Sequence, residues 1–99
     1  MEIGFDDITG KTLLAGFTYY DDNNDVVELV QKYGVVQRAD KNGIVVMQDN
    51  GEKFYLPPDL RSTEKATPGK YKLKTTGETV KDPDFLCTWS VRKEINEQK

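Results

Sequence analysis

Gly43-Ile44-Val45-Val46-Met47-Gln48-Asp49-Asn50-Gly51-Glu52-Lys53-Phe54-Tyr55-Leu56 is the stretch that decides the fold of this chain. Two runs, Ile44 to Gln48 and Glu52 to Leu56, flank Asp49-Asn50-Gly51. Both runs carry β-branched or aromatic residues, whose stiff side chains pack well on a pleated surface. Asn-Gly is the preferred pair for a two-residue type I′ turn, because both positions need positive φ. The spacing predicts a β-hairpin. Pro57-Pro58 ends it, since neither residue can donate to a ladder.

Working outward, period-two alternation recurs. Lys11 to Tyr20 places Leu13, Ala15, Phe17 and Tyr19 on one face and Leu14 and Tyr20 on the other. Phe85 to Arg92 alternates more cleanly, with Phe85, Cys87, Trp89 and Val91 pointing one way. Lys70 to Thr75 sets Tyr71 and Leu73 against Lys70, Lys72 and Lys74. Val26 to Ala39 admits two readings. Val26, Leu29, Val30 and Tyr33 fit helical spacing, with Gly34 as a stop. The reading preferred here is one long strand, with Gly34 as a bulge or bend. Asp59 to Ser62 suggests one 3₁₀ turn.

Turn signals separate these runs: Asp21-Asp22-Asn23-Asn24, Asp40-Lys41-Asn42-Gly43, Pro68-Gly69, Thr76-Gly77 and Asp82-Pro83. Short strands at this spacing predict an all-β domain. The expected form is a small SH3-like barrel or a strongly bent antiparallel meander of five to six strands, with at most one short helix or 3₁₀ turn. Phe17, Phe54, Tyr71, Leu73 and Trp89 are its expected filling.

The chain has 99 residues, of which 36% are hydrophobic and 31% charged. That suits one domain over 1–99 with one core, ending in a charged tail, 93–99, expected to fray. The N-terminus carries Glu2, Asp6 and Asp7 where a secretory signal needs basic and apolar residues. Leu13 to Phe17 is too short an apolar run to span a bilayer. A cytoplasmic, bacterial protein with no membrane association is expected. Net charge is −3, unevenly spread: residues 1–52 carry 4 basic and 10 acidic side chains, residues 53–99 carry 10 and 7. One acidic and one basic face would follow if folding keeps these halves apart.

Gly34-Val35-Val36, Gly43-Ile44-Val45-Val46 and Gly51 resemble the KOW-type and related SH3-like barrels over about 20 residues. The longer pattern runs from Gly10-Lys11 and Tyr20-Asp21 through Leu56-Pro57-Pro58-Asp59-Leu60 and Pro68-Gly69-Lys70-Tyr71 to Thr76-Gly77-Glu78 and Trp89. It is similar to small bacterial proteins of this length that carry no assigned activity. The KOW resemblance implies binding of RNA or of a protein partner. The basic loop of that family has no counterpart here, where only Arg38, Lys41 and Lys53 lie near the motif.

Catalytic chemistry finds little footing. There is no histidine, which removes the commonest general base and metal ligand. A single cysteine, Cys87, builds neither a disulfide nor a four-ligand zinc site, and its apolar neighbours mark it as a core residue. Asp21, Asn23 and Asp25 match the start of a calcium loop. Val26 then stands where glycine is needed and Lys32 where a bidentate glutamate is needed, so a solvated turn is expected. Asp6-Asp7 and Asp21-Asp22 are sequence neighbours, which on an extended chain point apart. Trp89, with apolar residues at two-residue spacing, reads as a core anchor.

Lys70, Lys72 and Lys74 form a basic ridge, and with Arg38 and the aromatics Tyr20 and Tyr55 they make up the candidate partner-binding set. A solvated strand face, with edge lysines that prevent aggregation, is the preferred explanation of the lysines. The expectation is a non-catalytic binding module, not an enzyme, without cofactor or metal, that recognises a protein partner. A nucleic-acid-associated factor with weak, salt-sensitive binding is the alternative.

Overall fold

The computed structural model describes residues 2–74 and 76–92. Thr12–Tyr20 (β1) lies in the interior of the sheet because both its faces are apolar at one end: Leu13, Leu14 and Ala15 are all buried. Val26–Asp40 (β2) flanks it antiparallel, and Phe85–Arg92 (β8) flanks it in parallel. Gly43–Gln48 (β3) and Lys53–Leu56 (β4) continue the sheet beyond β2, and Glu64–Lys65 (β5) ends it beyond β8. The order is β4-β3-β2-β1-β8-β5. Lys70–Lys72 (β6) and Thr79–Lys81 (β7) form a separate two-stranded ribbon. The fold is all-β, and Val26 to Ala39 is strand throughout.

Cross-strand register assigns each side chain to a face. On the inner face Leu13, Ala15, Val36, Ile44, Val46, Phe54, Leu56, Phe85 and Cys87 form the main core with Ile8. Phe17 and Trp89 pack against its margin, and Leu60 closes it from the segment after β4. The sheet bends strongly around this core. Phe17 on β1 and Phe54 on β4 are three strand steps apart, roughly 14 Å in a flat sheet. Their rings nevertheless meet edge to face with centroids 6.2 Å apart. The second core lies on the outer face, where Leu14 meets Leu73 and Val80 of the ribbon, with Tyr33, Tyr71 and Leu86 around them. The expected filling is therefore divided: Phe17, Phe54 and Trp89 belong inside the bend, Tyr71 and Leu73 outside it.

Of the two expected forms, the bent open sheet is the one adopted, and it does not close into a barrel. β4 has four residues and stops at Pro57-Pro58, and β5 has two, so too little ladder remains at either end to join. One expectation needs correcting: the sheet is not purely antiparallel, because β1 and β8 run parallel from Leu13↔Phe85 to Tyr20↔Arg92. Asp84 sets that pairing. Its Oδ2 accepts the Thr12 N–H and hydroxyl, each at 3.0 Å, and its own N–H donates to Thr12 Oγ1 at 2.9 Å. These bonds, the one to the Thr12 amide first, hold the Asp84 carboxyl below its usual pKa.

Local chemistry departs from the sequence reading at four further points. The Asp49-Asn50-Gly51 turn is not type I′, since Gly51 alone of the three has positive φ, at 88°. With Gly51 N–H donating to the Gln48 carbonyl at 3.0 Å and Gln48 N–H to the Glu52 carbonyl at 2.9 Å, it is a three-residue loop whose glycine takes the left-handed position. The helical turn is Phe5–Ile8 (α1), not Asp59 to Ser62; Asp7 Oδ2 accepts the Gly4 N–H at 2.7 Å, and Ile8 is fully buried. Asp59 and Arg61 instead fasten an exposed turn. Arg61 donates to both Asp59 oxygens and thereby lowers that carboxyl to about pKa 2. The strand expected over Lys70 to Thr75 stops at Lys72, where Leu73 turns to bond Glu78 and Gly77. The bulge in β2 falls between Val36 and Arg38, not at Gly34. The expectations for Thr75 and for Lys93 to Lys99 lie outside the described residues.

Cys87 is 3% exposed, and burial pushes its thiol up to about 11 against the ordinary 9.0, the neighbouring Trp89 indole opposing part of that rise. The folded value lies above the unfolded one. Stability from keeping the thiol neutral is therefore complete below about pH 9.0 and is lost as pH rises through about 11. We expect Cys87 to resist a thiol reagent at pH 7.5 in the native protein and to react at once in denaturant, with unfolding midpoints falling above pH 9. Equal reactivity in both states would show that the β8 inner face is not sealed.

Candidate binding surface of the sheet

The outer face of the sheet is covered over one half only. The β6–β7 ribbon packs on Leu14, Tyr33 and Leu86, over β8, β1 and the adjoining part of β2. The half built by β2, β3 and β4 has no ribbon over it, although Val45 at its centre is only 9% exposed. Its side chains are set by register in two rows across the strands: Arg38, Val45 and Tyr55, then Val35, Met47 and Lys53. Val35 is 42% exposed and Tyr55 70% exposed, large values for apolar or aromatic residues that a strand could have turned inward.

Arg38 belongs to this face because of the bulge. Counting from Val36, regular alternation would direct Arg38 into the core. The extra residue, Gln37, reverses the phase, so Arg38 pairs with Val45 and Ala39 takes the inward position beside Ile44. The Arg38 side chain is 66% exposed and its Nε rests 3.6 Å from the Asp40 carboxylate, an exposed pair that contributes little stability. Between Tyr55 on one side and Thr9-Gly10 on the other runs an open trough of about 740 Å³ floored by Val35 and Val45.

The six candidate residues of the sequence thus fall into separate groups. Arg38 and Tyr55 are brought together on either side of Val45. Lys70 and Lys72 lie on the outer side of the ribbon, where Lys81 of β7 stands opposite Lys70 and extends the basic ridge. Lys74 lies past the end of β6, its amide donating to Gln31 Oε1 at 2.6 Å. Tyr20 is half-buried at the far end of β1, opposite Val26 and Arg92, eight residues and so roughly 26 Å along the strand from Thr12. Sequence reasoning missed Val35, Val45, Met47 and Lys53, whose grouping depends on strand order, and Lys81, whose strand is only three residues long.

A second hollow, about 1150 Å³ and open to solvent, lies where α1 meets β5 and β8. Ile3, Leu60 and Phe85 line it beneath mixed acids and bases. Two of those charges are already engaged, Arg61 with Asp59 and Asp84 with Thr12. Among the described residues no group of three or more His, Cys, Asp or Glu side chains is placed to hold a metal ion, and no helix is long and apolar enough to cross a membrane.

Fold and surface together define a class, a bent all-β domain with an apolar-and-basic patch on the uncovered half of its outer sheet face. Compared with protein-family models, curated proteins and solved structures, the chain matches none.

Proposed function

We propose that this domain is a non-catalytic module that recognises a protein partner through the uncovered half of its outer sheet face. One observation carries the reading: Tyr55 and Val35 stand exposed beside Val45 and Met47, rimmed by Arg38 and Lys53. Tyr and Arg around a small apolar centre is the composition that dominates binding energy at protein interfaces. A domain of this size gains nothing for its own stability from a 70% exposed tyrosine.

A nucleic-acid reading would rest on Lys70, Lys72 and Lys81, which have no ion-pair partner among the described residues. It is the weaker one. The outward aromatic that stacking would need, Tyr55, stands on the sheet and not on the ribbon.

Placing a photo-crosslinking amino acid at position 55, or at position 72, in the native host separates the two. The proposal expects a discrete protein adduct from position 55 that disappears when Val35→Asp is added. Absence of any adduct at 55, or a nucleic-acid adduct at 72, would overturn it.

A further inference from the structure

The outer edge of β4 carries a further inference, which rests on the protein-partner reading above. The Gln48–Glu52 hydrogen bond fixes which residues of β4 bond inward. In an antiparallel ladder bonded pairs alternate, so Phe54 and Leu56 share the bonding phase of Glu52 and face β3 with their backbone groups. Lys53 and Tyr55 have the opposite phase. Their N–H and C=O groups point away from the sheet, and among the described residues no strand lies beyond β4.

Chemistry beside that edge is one-sided. The outer-face positions of β3 and β4 are Gly43, Val45, Met47, Lys53 and Tyr55, with no carboxylate among them. Lys53 has no ion-pair partner among the described residues, whereas Arg38, two strands further in, is already beside the Asp40 carboxylate at 3.6 Å, so Lys53 is the cation the edge offers a partner. Pro57-Pro58 limits the usable edge to a few residues and blocks its extension.

We propose that β4 accepts a short extended segment of a partner protein as an added strand, and that this segment carries a carboxylate opposite Lys53 and an apolar or aromatic residue opposite Tyr55. The bonds formed are reciprocal: Lys53 and Tyr55 each give one N–H and one C=O to the incoming backbone. An alternating donor and acceptor edge matches a peptide backbone, and opposite charges across a ladder favour each other while like charges oppose. A second copy of this chain is the poorer occupant, since it would bring two copies of Lys53 onto one joined face with no carboxylate on the outer face of β3 or β4 to answer them.

The test uses the full chain at low salt and two octapeptides sharing a Val-Tyr-Val centre, one flanked by glutamates and the other by lysines. The expected result is saturable amide shifts centred on Lys53 and Tyr55 with the acidic peptide, and hydrogen exchange at those two amides slowed about tenfold or more. The lysine peptide should bind at least tenfold more weakly. N-methylation of the acidic peptide on its pairing edge should abolish binding, and Lys53→Glu should reduce it about tenfold without moving the unfolding midpoint.

Shifts confined to the ribbon lysines, equal binding of both peptides, indifference to N-methylation, or self-association of the chain through β4 would each overturn the added-strand proposal. If the peptides fail while the crosslink from position 55 persists, the added strand is wrong and the protein-partner reading stands. If both fail, both fall.

Discussion

Gly34→Ala unfolds at a temperature roughly 15 °C below the parent, a loss of about 3 kcal/mol for a chain of this length. Gly34 lies in extended backbone of β2, so the cost does not come from a forbidden φ. It comes from proximity. A β-carbon built there sits on the Met47 carbonyl oxygen, 2.7 Å from the Met47 carbonyl carbon and 2.9 Å from Val46 Cγ1. Two of those atoms are backbone of the adjacent strand, so relief requires β2 and β3 to part just where the main core is closed by Val36 and Val46. The comparison is Gly16→Ala. Gly16 is also within a strand, has no positive φ, and offers open space to a β-carbon. That change should be neutral or stabilise by about 0.5 kcal/mol, because it restricts the unfolded chain. Thermal melts of the two variants decide the matter. Equal midpoints would mean that β2 and β3 do not pair in the register Gly34↔Gln48.

Phe54→Ala and Tyr55→Ala are neighbours with opposite expected outcomes. Phe54 is 6% exposed, meets the Phe17 ring edge to face, and carries the Lys32 ammonium 5.6 Å above its own ring. Truncating it removes the transfer energy of a buried ring and leaves a hole in the main core beside Phe17, a loss of about 3–5 kcal/mol. Tyr55, one residue on, points outward and should cost no more than about 0.5 kcal/mol. Urea unfolding should therefore show a large fall in midpoint at constant slope for the first and almost none for the second. A large loss for Tyr55→Ala would show that the outer face is packed against something within the chain, which would undercut the binding surface directly.

The sequence announced its strands through side-chain alternation, and much of the architecture was legible that way. The central hairpin, the inward Phe85, Cys87 and Trp89 of β8, and the long strand from Val26 all follow from which residues repeat at every second position. Alternation says which face a residue takes and nothing about which strand lies beside it. The parallel β1–β8 neighbour was therefore invisible, being set by a Thr12–Asp84 contact across 72 positions. β5 and β7 are too short to show any period, and α1 has Gly4 at its N-cap, without a capping side chain of the usual kind.

The candidate surface was half legible for the same reason. Tyr55 and Arg38 could each be singled out as residues facing solvent. Their adjacency could not, because it needs the order β2-β3-β4 and the single extra residue, Gln37, that swings Arg38 off the core side. The lysine ridge was visible on Lys70 and Lys72, whereas its continuation through Lys81 required the ribbon to be folded.

Chemical footprinting of Tyr55, in the isolated protein and inside intact host cells, bears most directly on a sheet whose one side is core and whose other side meets a partner. In isolation Tyr55 should be labelled fastest of all the tyrosines. In cells its labelling should fall about tenfold or more, with Tyr33 and Tyr71, packed where ribbon and sheet meet, unchanged in both settings. Labelling of Tyr55 in cells at the rate seen in isolation would contradict the assignment of this face to partner recognition.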